Sequence, residues 1–339
     1  MKKVLVIRFS SIGDIVLTSP VVRCLKQQAG AEVHFLTKAG FRSVVEPNPY
    51  IDRVFTIEKK VSEVLPALKA ERYDFLFDLH QNLRSLQVKM ALPGIRHYSF
   101  DKLNLEKWLL VQMKINQMPN LHIVDRYLQT TEILHIKNDG EGLDYFIPPA
   151  DEVDTDALLR SGGTSVQLLP KNKKPDTAYV AFVIGAAHPT KRLPVDQIID
   201  WCARINGPVI LLGGPDDAER GRAIAEATGS HVVNACGKLR LHQSASVVRQ
   251  ARLVISHDTG LMHIAAAFRK PIWSVWGNTV PEFGMYPYYP EGMDRNRTFE
   301  VKGLKCRPCS KIGHASCPKG HFRCMQEIEL EDVTLQLQP

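Results

Sequence analysis

Apolar positions along the chain fall into two alternating series. In the first, Lys3–Phe9, Glu32–Thr37, Arg53–Ile57 and Asp74–Leu79 are short runs of strand type. Between them, Ile15–Gln28 has helical spacing through Val16, Val21, Val22 and Leu25, and Val61–Glu71 is a second such segment. Helices around Leu103–Met113 and Asp125–Leu134 are predicted to close this series. Residues 138–176 change character: Pro148-Pro149, Gly162-Gly163 and the polar run Lys171-Asn172-Lys173-Lys174-Pro175 read as a linker with a strand inside it. Alternation then restarts, with strands at Tyr179–Ile184, Val209–Leu212, His231–Val233, Leu253–Ser256 and Ile272–Val275. Helices are predicted at Val195–Ile205 and Ala218–Thr228.

Short strands separated by helices imply βαβ units and mainly parallel sheets. The expected fold is α/β, with two Rossmann-like domains, residues 1–165 and 166–339, whose parallel sheets face each other across a cleft. A length of 339 residues suits two domains, and 44% hydrophobic with 23% charged residues suits two ordinary cores. No run approaches the roughly 18 apolar residues of a membrane span. The basic start Met1-Lys2-Lys3 precedes only four apolar residues before Arg8, fewer than the roughly 7–15 of a signal peptide, so a cytoplasmic protein is expected.

The net charge of +7 is concentrated. Residues 295–325 carry Arg295, Arg297, Lys302, Lys305, Arg307, Lys311, Lys319 and Arg323 against Glu300 alone. A second basic stretch runs from Arg84 to Lys114. Either is a solvated surface or a footprint for an anionic partner, and charge alone does not choose. Four of the seven cysteines, Cys306, Cys309, Cys317 and Cys324, bunch near the end. An odd total argues against a disulfide framework. The leading CxxC fits a structural zinc site, although the later spacings do not match paired zinc knuckles, and free thiols are the other reading.

Ligands of such sheets bind beyond the carboxyl ends of strands, so the strand-end loops are the candidates for chemistry. After the first strand comes Ser10-Ser11-Ile12-Gly13-Asp14, in which Gly13 permits a tight turn. Asp14 is there as a helix cap or as a general base. No GxGxxG follows, which disfavours a dinucleotide site. Gly185–Arg192 places Lys191 and Arg192 after small residues, as a phosphate contact or a solvated turn. Gly213-Gly214-Pro215 follows another strand and suits close approach of a ligand to the backbone. In Ser256-His257-Asp258-Thr259-Gly260-Leu261-Met262-His263, a buried strand runs into a small-residue helix whose N-terminus suits a pyrophosphate. His263, one turn after Thr259, is expected to face the same anion.

Together these loops resemble the glycosyltransferase family 9 heptosyltransferases, and the likeness covers nearly the whole chain. The resemblance implies a GT-B fold, an ADP-heptose donor and inverting transfer with no catalytic metal. It implies that Asp14 is the general base on the acceptor hydroxyl, with Ser10, Ser11 and Gly13 near the reacting centre. Lys191 is then the donor-phosphate contact, and Asp258, Thr259, Gly260, Leu261 and His263, with Gly214, bind the donor. Burial on cleft closure is expected to raise the Asp14 pKa. The implied acceptor is a lipopolysaccharide core or a similar anionic glycolipid. On that reading the basic stretch, with Leu103, Leu105, Trp108, Leu109 and Leu110 beside Lys102, Lys107 and Lys114, fits peripheral contact between the N-terminal domain and the membrane. The Thr190-Lys191-Arg192-Leu193 loop and the cysteine cluster depart from the best-known members. Two rival readings are another GT-B enzyme of a different nucleotide sugar, including an epimerase, and a zinc-containing nucleic-acid-binding protein. The second leaves the Asp14 and His263 loops unexplained, so no nucleic-acid partner is expected.

Overall fold

The computed structural model describes residues 1–170, 176–330 and 335–336; the run Lys171–Pro175 lies outside them. The chain divides into two compact units. One comprises Met1–Asn104, Asn120–Phe146 and Pro290–Gly292, and the other Leu105–Pro119, Ile147–Tyr289 and Met293–Pro339. Each is an α/β layer structure on a parallel sheet, as the alternation of apolar runs predicts.

The first sheet contains β1 (Lys3–Ile7), β2 (Glu32–Lys38), β3 (Arg53–Ile57), β4 (Phe75–Asp78) and β5 (Arg96–Ser99), in the order β3-β2-β1-β4-β5. Every neighbouring pair is parallel. Val4, Leu5, Val6 and Ile7 are all fully buried, as expected of a central parallel strand covered on both faces. β5 and the helix Leu83–Ala91 before it are absent from the sequence expectation. The helix buries only Ser85 and Val88, too sparse an apolar stripe to read.

The expected helix Ile15–Gln28 is two. A short helix spans Ile12–Val16, and a longer one, Ser19–Ala29, starts with Pro20 in its first turn. Proline has no N–H to donate back into a preceding turn, so a helix restarts there rather than running through. Gly30, at a left-handed φ of 56°, ends it. The segment expected at Asp125–Leu134 is a helix over Ile123–Gln129 followed by a tighter turn at Glu132–Leu134.

The second unit carries β6 (Val180–Val183), β8 (Val209–Leu212), β9 (Val232–Asn234), β10 (Leu253–His257), β11 (Ile272–Trp276) and β12 (Asn296–Glu300). Their order is β12-β11-β10-β6-β8-β9, again all parallel. A separate two-residue pairing joins β7 (Ile205–Asn206) to β13 (Leu335–Gln336). The core is built around Trp201, whose ring centroid lies 6.1 Å from that of Phe182 and 5.3 Å from that of Phe299.

Two segments sit elsewhere than the sequence suggested. Residues 147–165, read as part of the first domain, belong to the second unit, where Val153 N–H donates to Ser246 Oγ at 3.0 Å. The strand expected in this stretch is a single antiparallel bridge between Val153 and Leu168. Leu105–Pro119, expected on the N-terminal domain, also belongs to the second unit. Its buried Leu110, with Val111 and Met118, packs on Val280 and Phe283, and Lys114 Nζ donates to the carbonyls of Val111 and Pro308 at 2.6 Å each.

Within the first unit, Arg23 fastens the helix Ser19–Ala29 to the segment that follows the turn Glu132–Leu134. Its Nε and Nη2 reach both oxygens of Asp139 at 2.7 and 2.8 Å, and its Nη1 reaches Asp144. Burial pushes the Asp139 carboxyl upward, but the Arg23 guanidinium outweighs it and holds the group below the usual carboxylate range. A depressed carboxyl pKa adds stability at neutral pH that is lost as pH falls through the folded value. Replacing Arg23 with alanine is expected to destabilise the protein by about 1–3 kcal/mol near neutral pH, because it leaves two half-buried carboxylates without their cation. That gap should narrow as the pH is taken below about 4. Urea unfolding of both proteins across this range checks it, and a pH-independent gap would contradict the ion-pair assignment.

Candidate active site

In open parallel sheets the binding crevice lies beyond the carboxyl ends of the strands, where strand order reverses. The first sheet reverses between β1 and β4, and the second between β6 and β10. At each point the following loops bring a carboxylate against a cation.

After β1, the backbone passes through buried Phe9 to Ser11, which precedes the helix Ile12–Val16. Asp14 is its third residue, not its cap. One carboxylate oxygen accepts from the Ser11 N–H at 3.1 Å and the Ser11 hydroxyl at 2.7 Å. The other pairs with Arg8 Nη2 at 2.6 Å. Arg8 is itself fixed, donating to the Ser10 carbonyl (2.8 Å), the Leu79 carbonyl (2.5 Å) and the Tyr127 hydroxyl (3.0 Å). Gly13 lies buried within this turn. Ser10, Ser11, Gly13 and Asp14 are therefore brought together as expected, but the electrostatics run opposite to the expectation. Burial pushes the Asp14 carboxyl upward, yet the Arg8 charge and the Ser11 hydrogen bonds outweigh it and hold it below its ordinary value.

His80, two residues beyond β4, completes this group. Its ring meets Phe9 edge-on at 5.5 Å, and its Nδ1 is buried with no hydrogen-bond partner among the described residues. The backbone N–H groups of His80 and Gln81 donate to Asp78 Oδ1 at 3.1 and 2.7 Å, which fixes the turn. Burial, then the charges of Arg8 and Lys102, push its pKa down to about 4, so the imidazole is neutral at physiological pH.

In the second unit, Lys191 Nζ lies 2.6 Å from Asp258 Oδ2, with both side chains largely enclosed. The Thr279 hydroxyl donates to the same oxygen at 3.0 Å. Thr259 precedes the helix Gly260–Ala267 without capping it through its side chain, so the positive end of that helix begins beside the ion pair. Lys191, Asp258 and Thr279 meet as a cluster, and Thr259, Gly260 and Leu261 adjoin it in sequence. His263, one turn along the same helix, is only 2% exposed.

Other expectations need correction. Gly213 and Gly214 approach a side chain of this protein: a Cβ on Gly213 would lie 2.7 Å from Asp217 Cβ, and Gly214 N–H donates to Asp217 Oδ2 at 3.0 Å. The Arg192 fork closes its own loop on the Ala186 carbonyl at 2.9 and 2.5 Å.

The cysteine-rich segment braces these loops. Arg307 donates to the carbonyls of Gly277 (2.6 Å) and Thr279 (3.0 Å), and Cys309 N–H to that of Asn278 (3.3 Å). The His314 N–H donates to Thr190 Oγ1, beside Lys191, at 2.8 Å. Among the described residues, no three of Cys306, Cys309, Cys317 and Cys324 bring their sulphurs within 4.8 Å of one another. Thiolates around one zinc would sit about 3.8 Å apart, given bonds of about 2.3 Å. Cys324 is packed into the core, and burial pushes its thiol up to about 12, whereas Cys306, Cys309 and Cys317 lie on the partly exposed loop. The group that does satisfy the proximity is Glu32, His34 and Glu71, and its carboxylates are already paired, with Lys3 at 3.0 and 2.7 Å.

The sequence reading assigned no role to Arg8, His80 or Thr279. His80 and Thr279 stand just after strands, so the strand-end rule would have found them.

A model of glycosyltransferase family 9 (heptosyltransferase) matches residues 61–315. Lipopolysaccharide heptosyltransferase 1 of Campylobacter coli is 23% identical over 300 residues, covering 82% of this chain and 84% of that protein. A glycosyl transferase family 9 structure from Veillonella parvula matches with a TM-score of 0.70 at 22% identity, over 88% of this chain and 86% of that one. An Escherichia coli heptosyltransferase solved with ADP matches with a TM-score of 0.65 at 21% identity, over 96% of each chain. The shared fold is GT-B.

If Arg8 sets the Asp14 ionisation, Arg8→Gln leaves burial opposed by the Ser11 hydrogen bonds alone. The Asp14 titration midpoint is then expected to rise. Carbon-13 carboxyl NMR, with Asp14→Asn to assign the signal and circular dichroism to confirm folding, reads this directly. An unmoved midpoint would mean that Arg8 only shapes the loop.

Proposed function

The chain belongs to glycosyltransferase family 9, the heptosyltransferases, and on that premise we propose that it moves a heptose from an ADP-linked donor to a lipopolysaccharide core or similar cell-surface glycolipid, inverting the anomeric carbon. The observation that carries the donor half is the Lys191–Asp258 pair at the β6/β10 reversal, beside the start of the helix Gly260–Ala267.

The reaction divides between the two units. In the first, Asp14 takes the proton of the acceptor hydroxyl as its oxygen forms the new bond to the anomeric carbon. In the second, the bond from that carbon to the diphosphate oxygen breaks, and the electron pair leaves with ADP. Lys191 and the first-turn amides after Thr259 meet the developing phosphate charge, so the residues present supply a metal-free route. An arriving diphosphate competes with Asp258 for Lys191, and the Thr279 hydroxyl holds Asp258 while it does. Asp14 is a weak base in its ion-paired state, which suffices when proton transfer accompanies bond formation and the acceptor hydroxyl becomes acidic only in the transition state.

The donor is further supported by the relative solved with ADP, and the acceptor by the lipopolysaccharide heptosyltransferases the chain resembles. No helix among the described residues is long and apolar enough to cross a membrane, so contact with a lipid-borne acceptor is proposed to be peripheral. The four cysteines remain a proposed structural zinc set that their described positions do not assemble, and no chemical step runs through them.

Asp14→Asn is expected to keep donor affinity and reduce transfer below a few per cent of wild type, losses of the size seen when general bases are removed being about 10²–10⁴-fold. Calorimetry with ADP-heptose and mass-spectrometric assay of product separate the two effects, and substantial turnover would remove Asp14 as base. Lys191→Ala is expected to raise the donor KM, whereas an unchanged KM would make its loop a surface turn. A thermal-shift screen of ADP-, GDP- and UDP-sugars tests the nucleotide, with stabilisation by ADP-sugars expected.

A further inference from the structure

The helix Leu83–Ala91 has two apolar faces. Ser85 and Val88, with Leu92 just past its end, face the core of the first unit. At 3.6 residues per turn, Leu83, Leu86 and Met90 fall within about 60° of arc on the opposite side. Leu83 and Met90, at 79% and 75%, are among the largest apolar exposures of the described residues, and Leu86 is 46% exposed.

Along the stretch of sequence that carries this ridge the charged residues are all basic. From Leu79 through Phe100 the sequence contains no aspartate or glutamate. Lys89 is engaged with Asp78 at 2.9 Å and Ser99 at 3.0 Å. Arg84 on the helix and Arg96 and His97 on β5 are exposed, and neither arginine forms an ion pair among the described residues. The helix starts at Asn82, its cap, two residues after His80. The ridge therefore begins at the carboxyl edge of the sheet that carries Asp14 and extends about 10 Å from it.

We propose that Leu83, Leu86 and Met90 insert among the lipids of an anionic bilayer, with Arg84 and Arg96 meeting the headgroups. Apolar residues backed by arginine are the composition of a helix lying in a membrane interface. A second copy of the chain is a poorer occupant. Pairing around a two-fold axis would bring the same arginines against each other, and three side chains fall far short of the roughly 800 Å² per partner of a stable interface. The inference rests on the reading that the acceptor is a membrane glycolipid, because the ridge would then hold the proposed base at the surface where that acceptor is anchored.

Flotation of the full chain with phosphatidylethanolamine–phosphatidylglycerol vesicles, without sugar substrates, tests it, with phosphatidylcholine vesicles as reference. The wild type should bind the anionic vesicles more strongly, and less so as salt is raised. The Leu83→Ser, Leu86→Ser, Met90→Ser triple variant and the Arg84→Glu, Arg96→Glu double variant should each lose at least about tenfold in binding. Both should keep wild-type kcat and KM on a water-soluble, delipidated acceptor, which also shows that they fold. Wild-type binding by the triple variant, or no preference of the wild type for anionic vesicles, overturns the proposal. So does light scattering that shows a wild-type dimer and a monomeric triple variant, which would assign the ridge to self-association. Vesicle binding as expected without transfer to any glycolipid would instead sink the proposed reaction and leave the membrane surface standing.

Discussion

Parallel strands are joined by crossovers, and the crossovers are almost always right-handed. In the first sheet the chain winds outward from β1 through β2 to β3, then returns past β1 to β4 and β5. In the second it winds from β6 through β8 to β9, then returns to β10, β11 and β12. Each return sends the following helices to the opposite face, and the loops on either side of the reversal diverge. Arg8, Asp14 and His80 occupy one such opening, and Lys191 and Asp258 the other. Enclosed ion pairs add little stability over apolar side chains of equal volume. What these pairs supply is a fixed direction for each charged group.

The fold was legible because central parallel strands are buried on both faces. Val4–Ile7, Val209–Leu212 and Leu253–Ser256 are short, β-branched apolar runs of the kind such a sheet accommodates. Two of the four edge strands gave no such signal: β5, Arg96-His97-Tyr98-Ser99, and β12, Asn296-Arg297-Thr298-Phe299-Glu300, are polar and went unread. The candidate site was legible as a set of loops but not as a set of partners. Asp14 was singled out, whereas the cation that controls it lies six residues earlier and looks like the end of a strand. Gly213 read as a place for a ligand because a missing Cβ does not say what approaches, and the neighbour is Asp217. Whether His263 faces a loop or the interior depends on how the helix Gly260–Ala267 rolls on the sheet, which periodicity alone does not determine.

The basic segment 295–325 illustrates how misleading a charge count is. Arg307, seen along the sequence as one more surface cation, is enclosed, paired with Glu300 at 2.6 Å, and spends its remaining donors on the carbonyls of Gly277, Val301 and Thr279. The close approach of Gly277 to Met325 and the Thr190 carbonyl, and of Gly313 to His188, has the same cause. A late stretch of chain lies on the loops after β6 and β11 and holds their backbone in place.

The way the chain is shared between the two units has a consequence for how this protein could have been assembled or taken apart. It passes from one unit to the other after Asn104, Pro119, Phe146, Tyr289 and Gly292. A gene cut anywhere near the middle would yield no self-sufficient half. A fragment ending at Phe146 would lack Pro290–Gly292 and would carry Leu105–Pro119 without the Val280 and Phe283 surface that covers Leu110. Exchange of one unit for that of a relative would have to carry these interleaved pieces together, so the two halves are bound to a shared inheritance.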